Sequence, residues 1–454
     1  MHALQDMRNY FQSGITRSHD WRKDQLIKLK TAVLKYEAEI TTALYADLKK
    51  SPEEAYGTET GLVLSEIGTL LKNLPKWMRP KRVKTNLVNL PSSSRIYRDP
   101  LGTILIVAPW NYPLQLALLP LAGALAGGNN VVIKPSERSP ATAEIIEKII
   151  TQTFPPEIAG VVQGDGATVI PQLIQNVRFD HIFFTGSIPV GKEIYKLAAE
   201  NLIPVTLELG GKSPAVVEPD ADLRIAAKRI AFGKFTNAGQ TCIAPDYLLV
   251  HATIKDEFLK NLKQSIAGFY TDQPETSHDY GKIIDEKRFD KLISYLQQGN
   301  IIAGGRHDRD KHFIEPTLLG DVDPNAPVMQ EEIFGPILPV FTFETREEAL
   351  SLIRRNPDPL AFYLFTNDSA KESAWMSEVR FGGGCINNTA WHFANHNLPF
   401  GGIGASGIGA YHGKYSFETF THAKPVMRTP NFPDLALKYP PFKGKLKWFK
   451  RFLH

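Results

Sequence analysis

Two segments of this chain carry side chains suited to covalent catalysis. Cys242 lies in the small, polar, glycine-containing stretch 237–246, NAGQTCIAPD, which could hold a thiol at an accessible turn. Glu208 lies upstream, next to a Gly-Gly pair that lets a backbone or a ligand come close. A thiol and a carboxylate in such surroundings predict a covalent nucleophile with a separate water-activating base. The alternative for Cys242 alone is an inert packed thiol, because free cysteine is commonly buried.

A third candidate is the side-chain amide of Asn111, in the turn 109–113, PWNYP. This turn follows an apolar segment, and two aromatic residues and two prolines flank the Asn. Such an amide could donate a hydrogen bond to a developing oxyanion. The alternative is a rigid turn in which Asn111 satisfies local backbone groups.

A glycine-containing segment that could face a phosphate spans residues 186–193, GSIPVGKE. It nearly spells the loop G-x-x-x-x-G-K-[ST], but Glu193 occupies the position of the magnesium-binding hydroxyl, which disfavours an NTPase. A simpler interpretation is a strand, a Gly-Ser turn and a helix whose N-terminus faces a pyrophosphate, with Pro189 in the first helical turn. An ordinary strand-to-helix turn is the alternative.

Two further pairs could bind the sugars and the flat ring of a nucleotide. Lys134 ends an apolar strand, where sheets of this kind bind ribose, and Glu137 could accept hydrogen bonds from ribose hydroxyls while repelling a 2′-phosphate. Glu332 could bind a second sugar, and Phe334 could pack on a planar ring. The alternatives are a solvated ion pair for the first two residues and a helix end before Gly-Pro for the second two.

No metal site is predicted. His392 and His396 are four residues apart, as zinc-binding histidines on a helix can be, but the H-E-x-x-H glutamate and a third ligand are missing. Cys385 follows three glycines and is predicted to be a packed small residue rather than a second nucleophile.

The elements that must position these residues alternate between strand and helix. Strands are predicted at 103–108, 130–133 and 181–184, with a helix at 139–153 between the last two, and this pattern indicates a parallel sheet of the nucleotide-binding kind. A second series, from about 211 to 395, has strands at 247–250, 337–343 and 361–366. The first 80 or so residues are predicted to be helical, because Leu26, Leu29, Val33 and Tyr36 recur at helical spacing.

We therefore predict an α/β fold with three parts. Residues 1–209 would form a Rossmann-like parallel-sheet cofactor domain, interrupted by a hairpin-like arm at 84–100, and residues 210–396 an α/β catalytic domain. The arm alternates apolar and polar residues around a Pro-Ser-Ser-Ser break, and it could pair with another chain. Together with residues 415–454, which end in a C-terminal tail, the arm would form a small β-arm oligomerisation element.

The bulk composition excludes several classes of protein. The net charge of +4 is small against 52 basic and 48 acidic side chains, so nucleic acid is not an expected partner. Two cysteines cannot form a disulfide framework, which favours a reducing compartment. The N-terminus has no apolar core of signal-peptide length, and no apolar run reaches the length of a membrane span. A cytoplasmic protein is expected.

The C-terminal tail predicts a peripheral contact with membranes. Leu446, Phe449 and Leu453 fall on one helical face, and Trp448 and Phe452 widen that face. Positive charge lies nearby, on Lys443, Lys445, Lys447, Lys450 and Arg451. Such a segment suits the bilayer surface, although a tail helix packed on its own dimer is the alternative.

Taken together and in this order, the motifs resemble the aldehyde dehydrogenase superfamily. The resemblance runs from about residue 5 to residue 424. The stretches 240–247, QTCIAPDY, and 398–420, LPFGGIGASGIGAYHGKYSFETF, are similar to the class 3 and fatty aldehyde dehydrogenase branch. Two positions depart from the family pattern: Tyr112 stands where Phe is usual, and Ile188-Pro189 replaces smaller or polar residues. Pro189 leaves the shape of the pyrophosphate turn open.

The resemblance implies NAD(P)-dependent oxidation of aldehydes to carboxylic acids through a cysteine thiohemiacetal and thioester. The aldehydes would be medium- or long-chain aliphatic, aromatic or apocarotenoid. Cys242 would be the nucleophile, Glu208 the general base, and Asn111, with the backbone N–H of Cys242, the oxyanion hole. The implied cofactor-binding residues are Lys134, Glu137, Gly186, Ser187, Val190, Gly191, Glu332 and Phe334. NAD would be preferred with NADP as an alternative, and a homodimer is expected.

Two other functions stay open at this point. A CoA-acylating aldehyde dehydrogenase would pass the acyl group to CoA, and Glu208 argues against it because no water-activating base is then needed. A non-catalytic binding or structural protein on the same scaffold would need none of Cys242, Glu208 and Asn111.

Overall fold

A six-stranded sheet carries the first half of the candidate residues in the computed structural model, which describes residues 2–434 and 436–452. Its strands, from one edge to the other, are Gly407–Ile408, Val205–Glu208, His181–Thr185, Thr103–Val107, Asn130–Lys134 and Ala159–Val161. The pair at the first edge is antiparallel and all other pairs are parallel. We call this the first sheet, and it confirms the strands predicted at 103–108, 130–133 and 181–184.

Helices cover both faces of the first sheet. Ile104 and Ile106 pack into one hydrophobic cluster, while Leu105 and Val107 pack into another, since successive strand residues point to opposite faces. All five residues of that strand are buried, which is typical of a parallel strand covered on both sides. The helices of this half of the chain are Gln115–Gly127, Pro140–Thr153, Gly166–Asn176 and Ile188–Glu200.

A seven-stranded second sheet carries the other half of the site. Its strands, in spatial order, are Asn300–Ala303, Thr317–Gly320, Ile337–Phe343, Tyr247–His251, Pro214–Val217, Ala361–Phe365 and Gly383–Ile386. The Asn300–Ala303 strand is antiparallel to its neighbour and the other pairs are parallel. Its helices are Leu223–Phe235, Lys255–Tyr270, Glu286–Leu296, Pro327–Gln330, Arg346–Ile353 and Ser369–Glu378. The strands predicted for this half are confirmed.

The predicted arm is a three-stranded antiparallel sheet, which we call the arm sheet. Its strands are Lys81–Val83, Ser93–Pro100 and Thr421–Arg428, with Ser93–Pro100 in the middle. The hairpin thus begins at Lys81, three residues before the predicted start at 84. The prediction missed this strand because Lys81-Arg-Val does not show the apolar–polar alternation on which it relied. The predicted division at residues 209 and 210 stays a prediction, and the first sheet also includes Gly407–Ile408, beyond both predicted ranges.

The N-terminal helices pack beside the first sheet. They are His2–Gln12, His19–Lys35, Glu37–Leu48, Pro52–Ala55 and Gly61–Trp77, and a π-helical turn, Tyr56–Thr60, joins the last two. Leu26, Leu29 and Val33 are buried, as their spacing predicted. The remaining elements are the helices Lys414–Thr419 and Leu446–Phe452, a two-stranded sheet, His307–Asp308 with Phe313–Ile314, and single 3₁₀ turns at Ile15–Arg17, Leu87–Asn89, Thr236–Gly239, Ala252–Ile254, Pro274–Thr276, Trp391–Ala394, Gly404–Ser406 and Ala436–Lys438.

Candidate active site

The Cys242 loop is a left-handed turn packed against the loop that carries Glu332. Asn237, Ala238 and Gly239 all have positive φ, at 54°, 50° and 73°. A Cβ on Gly239 would lie 2.3 Å from the carbonyl oxygen of Gly335, so only glycine allows the two loops to come this close. Cys242 itself is half-buried and unbridged.

The thiol opens onto a cavity of about 650 Å³ with a mainly apolar lining. Among its lining residues are Leu62, Tyr112, Leu116, Phe232, Ile243, Phe269, Tyr270, Trp391, Phe393, Phe400 and Tyr411. The rings of Phe232 and Trp391 stack, with centroids 6.0 Å apart and planes 9° apart, and both side chains are exposed. This volume and lining suit a small apolar ligand that reaches the thiol.

Glu208 lines the same cavity and has no polar partner in the described chain. It is the last residue of its strand and is 3% exposed, and neither carboxylate oxygen receives a hydrogen bond from the protein. Burial therefore raises the pKa of Glu208 well above that of an ordinary glutamate. Burial, together with the carboxyl groups of Glu332 and Glu208, also raises the pKa of the Cys242 thiol, and nearby backbone N–H groups lower it.

Asn111 lies beside the Cys242 loop. Its side-chain amide donates to the backbone carbonyl oxygen of Gln240 at 3.0 Å. The backbone carbonyl oxygen of Asn111 accepts hydrogen bonds from the side chains of Asn237, at 2.9 Å, and Lys50, at 3.2 Å. Lys50 is fully buried and pairs with Glu59 at 2.5 Å. This network holds the Asn111 turn and the Cys242 loop in one arrangement.

Glu59 anchors the same turn from the other side. It lies on the π-helical turn and accepts hydrogen bonds from the backbone N–H groups of Leu114, at 2.9 Å, and Gln115, at 3.2 Å. The ammonium of Lys50 also lies 3.9 Å from the centre of the Tyr112 ring, a cation–π contact. The Tyr112 hydroxyl is 2.6 Å from the hydroxyl of Thr241, next to the thiol.

Lys134 and Glu137 lie together at the carboxyl end of a first-sheet strand, where open α/β sheets bind their ligands. Lys134 is buried and pairs with Glu137, which is exposed. An added Cβ on Gly166, the first residue of a helix, would be in ordinary contact with both side chains, 3.4 Å from the Lys134 ammonium. A sugar could bind between the Lys134–Glu137 pair and this helix end.

The segment 186–191 forms a strand-to-helix turn with an open helix N-terminus. The helix Ile188–Glu200 has Pro189 in its first turn, as predicted, and the side chain of Ser187 makes no capping hydrogen bond. First-turn N–H groups are therefore available to an anion, and Val190 beside them is exposed. A Cβ on Gly191 would meet the side chain of Leu209 at 2.6 Å, so Gly191 serves close helix packing. These residues fit a pyrophosphate.

Glu332 and Phe334 contact residues from both halves of the chain. The Phe334 ring meets Trp110 edge-on at 5.2 Å, and Arg288 lies 5.8 Å from its centre. Gly210 allows Glu332 to come close, since a Cβ there would lie 1.9 Å from the carboxylate. Burial and the neighbouring Asp246 raise the pKa of Glu332 to about 8.

Comparison with known proteins identifies the scaffold. Residues 1–426 match the aldehyde dehydrogenase family. The chain belongs to the aldehyde dehydrogenase family. It is 47% identical to the 4,4'-diaponeurosporen-aldehyde dehydrogenase of Staphylococcus aureus, over 98% of this chain and 97% of that protein. It is 42% identical to aldehyde dehydrogenase family 3 member A2 of Rattus norvegicus, over 99% of this chain and 93% of the relative.

Solved aldehyde dehydrogenase structures have the same fold. The structure described as the substrate-bound state of Staphylococcus aureus AldH superposes with a TM-score of 0.97, at 46% identity, covering 100% of this chain and 99% of that one. An NAD⁺ complex of an aldehyde dehydrogenase from Bacillus cereus superposes with a TM-score of 0.84, at 26% identity, covering 94% and 88%. The protein is therefore an enzyme that oxidises aldehydes, and its resemblance to the class 3 branch is confirmed.

Several residues of this aldehyde dehydrogenase site were not singled out from the sequence. Lys50 and Glu59 support Asn111, and the buried pair of Lys212 and Asp246 supports the Glu332 loop. Lys212 donates to the carbonyl of Glu331 at 3.0 Å, and Asp246 accepts from the N–H of Ile333 at 3.0 Å. Asp246 ends the 237–246 stretch and Lys212 follows the Gly-Gly pair after Glu208, so their position was the available signal. For Lys50 and Glu59 there was none.

The remaining candidates have structural partners. His396 contacts Glu66 and Ser65, both at 2.9 Å, whereas His392 lies 3.5 Å from the sulfur of Cys385, so the two histidines do not converge. Among the described residues, no group of three or more His, Cys, Asp or Glu side chains is placed to hold a metal ion. None of the described helices is long and apolar enough to cross a membrane.

Proposed function

We propose that this enzyme oxidises apolar aldehydes to carboxylic acids with NAD, using Cys242 as nucleophile and Glu208 as the base that activates water. One observation carries the proposal: a thiol and a buried carboxyl group without protein partners line the same apolar cavity. A packed structural thiol would have no reason to share a cavity with an unsatisfied carboxyl group, because burying such a group is costly.

The first half-reaction needs the thiolate of Cys242 and a stabilised oxyanion. Because the attacking species is the thiolate, the Cys242 proton is released to solvent before the attack, and the backbone N–H groups beside the sulfur favour its ionised form. The sulfur then attacks the aldehyde carbon. The backbone N–H of Cys242 and the amide of Asn111 donate to the oxygen, and one such donor is typically worth about 3 kcal/mol.

The cofactor groove would be built by the residues that border the first sheet. Lys134 and Glu137 would hold the adenosine ribose, Gly186, Ser187, Val190 and Gly191 the pyrophosphate turn, and Glu332 and Phe334 the nicotinamide end. When bound there, NAD would supply the acceptor for the hydride of the substrate carbon. The exposed Glu137 carboxylate would repel a 2′-phosphate, so NAD is preferred over NADP.

In the second half-reaction, Glu208 takes a proton from water as the water oxygen attacks the thioester carbon. The carbon–sulfur bond breaks, Cys242 leaves as thiolate, and the carboxylic acid is released. Glu208 can do this because its oxygens have no competing protein donor. A CoA-acylating enzyme would not need such a base.

The substrate would be an apolar aldehyde with a long chain, a ring or a polyene. The cavity lining is mainly apolar, and the stacked rings of Phe232 and Trp391 would favour a flat or extended chain between cavity and solvent. The Staphylococcus aureus relative named for 4,4'-diaponeurosporen-aldehyde supports this class.

The decisive experiment is product analysis with NAD and hexanal, with and without CoA. Hexanoate and NADH in equal amounts without CoA would support the proposal. A product that forms only with CoA would indicate the acylating alternative, and no NADH would indicate a non-catalytic protein. A panel of short and long alkanals, benzaldehyde and an apocarotenal would then define the substrate class.

We also propose a homodimer joined through the arm sheet. The outer strand Thr421–Arg428 is exposed at all positions but the first, and Met427 is 50% exposed. An edge strand of this length exposes unpaired backbone groups unless a second chain covers it. Light scattering at micromolar concentration should give the mass of a dimer, and a monodisperse monomer would contradict this.

The C-terminal tail is proposed to bind membrane surfaces and to help load long apolar aldehydes. In the described part, Leu446 and Trp448 are exposed on the helix Leu446–Phe452, while Leu453 lies outside the described residues. Deleting residues after Pro441 should lower binding to anionic vesicles and long-chain activity and spare short-chain activity. Replacing Lys447 and Lys450 with Glu should lower vesicle binding alone. Equal loss for all chain lengths would indicate a tail packed on its own dimer.

A further inference from the structure

Four buried polar atoms on residues that line the cavity have no hydrogen-bond partner in the part of the chain that the structure describes. They are the two carboxylate oxygens of Glu208 and the hydroxyls of Thr185 and Tyr411. All three side chains line the cavity and are almost fully buried, at 3%, 8% and 0% exposure. Buried tyrosine hydroxyls usually find a hydrogen-bond partner, so this group indicates a ligand that the three side chains share.

The backbone brings the three side chains to one place. Thr185 and Glu208 are register partners at the ends of neighbouring parallel strands, so they lie side by side at the edge of the first sheet. Tyr411 lines the same cavity as Glu208 and Cys242. Its burial, and to a lesser extent the neighbouring Glu208, Cys242 and Glu66, raise the pKa of its hydroxyl well above the usual value. The hydroxyl therefore stays protonated and can donate at neutral pH.

The Tyr411 ring is fixed in position. Its backbone pairs with that of Phe400 through two hydrogen bonds, at 3.0 and 2.8 Å. The ring meets Phe183 edge-on at 4.9 Å and Phe400 edge-on at 5.8 Å. A hydroxyl held this rigidly can orient a small ligand at little cost in conformational entropy.

We infer that Thr185, Glu208 and Tyr411 together bind the water that hydrolyses the thioester, with Thr185 and Tyr411 as positioning residues. This inference rests on the proposed function. A buried water needs two to four polar partners, and the three side chains supply that number in a cavity whose lining is mainly apolar. Glu208 takes the proton, while the two hydroxyls fix the direction in which the water oxygen faces the thioester carbon. The bond from that carbon to Cys242 then breaks.

The test is the lifetime of the acyl-enzyme in Tyr411→Phe and Thr185→Val, two variants that remove a hydroxyl and keep most of the packing. After mixing with NAD and hexanal, acid quenching and intact-protein mass spectrometry would follow the acyl group on Cys242. We expect the NADH burst rate to stay within about twofold of wild type while hydrolysis slows by about 100-fold. Thr185→Ser should restore hydrolysis, and hydroxylamine as a strong acyl acceptor should restore turnover in both slow variants.

Tyr247→Phe is the matched control, since it removes a buried tyrosine hydroxyl without a protein partner that lies outside the cavity lining. It should hydrolyse at the wild-type rate. Normal hydrolysis in Tyr411→Phe and Thr185→Val, a slowed NADH burst in either, or equal slowing in Tyr247→Phe would overturn the inference. If wild type produces neither NADH nor hexanoate, the proposed function itself fails, which is a distinguishable outcome.

Discussion

Two buried glutamates, Glu59 and Glu208, differ in their surroundings. Glu59 has a full set of donors: the ammonium of Lys50 and the backbone N–H groups of Leu114 and Gln115. Glu208 has none from the described chain. Burial raises the pKa of both carboxyl groups, but for Glu59 the neighbouring Lys50 opposes the effect. The comparison teaches that a satisfied buried carboxylate supports structure, while an unsatisfied one is available for chemistry.

The largest effect is expected when the nucleophile Cys242, which lines the same cavity as Glu208, is removed. Cys242→Ala should abolish aldehyde oxidation while NAD binding, measured by fluorescence titration, stays nearly intact. The reason is that no other candidate site residue is a nucleophile that can form the covalent intermediate. Substantial residual turnover would contradict the mechanism.

Glu208→Gln tests the role of the buried carboxyl group that has no hydrogen-bond donors in the described chain. The variant should release one burst of NADH and then stall with an accumulated thioester, and the steady-state rate should fall by about 10²- to 10⁴-fold. Its thermal stability should not fall, because a desolvated carboxyl group with no partner is replaced by a neutral amide. Steady-state turnover at the wild-type rate would remove Glu208 from the role of base.

Glu59→Gln tests the role of the buried carboxyl group that has a full set of donors. It leaves the buried ammonium of Lys50 without its counter-charge, so unfolding free energy should fall by about 3–5 kcal/mol. Denaturant unfolding would measure this loss. The double variant with Lys50→Met should lose less than the sum of the two single changes, because the two groups interact directly. Strictly additive losses would show that the pair is not coupled.

The pH dependence of hydrolysis sharpens the comparison further. A base works in its ionised form, and the raised pKa of Glu208 places that ionisation above the acidic range of ordinary glutamates. The rate of acyl-enzyme hydrolysis should therefore keep rising with pH above the usual glutamate range, by about tenfold per pH unit below the pKa of Glu208. Single-turnover hydrolysis from pH 5 to 9 would measure it. A rate already constant above pH 5 would mean that Glu208 titrates normally or is not the base.

The smallest expected effect concerns Glu137, an exposed glutamate that contrasts with both buried ones. Glu137→Gln should weaken the preference for NAD over NADP by no more than about tenfold, because charge repulsion at an exposed position is screened by solvent and salt. The ratio of kcat/KM for the two cofactors measures this. Clear NADP preference in the wild type, or an unchanged ratio in the variant, would show that Glu137 does not discriminate.

The sequence alone determined the family, the α/β class and the positions of the strands, because these depend on local features. Buried strands are continuous apolar runs, and motifs such as 240–247 keep their spacing along the chain. The same local reasoning found Cys242, Glu208 and Asn111 as candidates. It also grouped the arm at 84–100 with residues 415–454, but it did not give the register in which Thr421–Arg428 pairs with Ser93–Pro100, since that pairing joins distant parts of the chain.

Only the tertiary structure decided which polar groups are satisfied. Asn111 and Gln240 are 129 residues apart, and Lys50 and Asn111 are 61 apart, yet both pairs form hydrogen bonds. Whether a carboxyl group is paired, like Glu59, or left open, like Glu208, depends on which distant donors the fold brings within about 3 Å. Hydrogen bonds have this short range and strict geometry, and a sequence pattern does not record them.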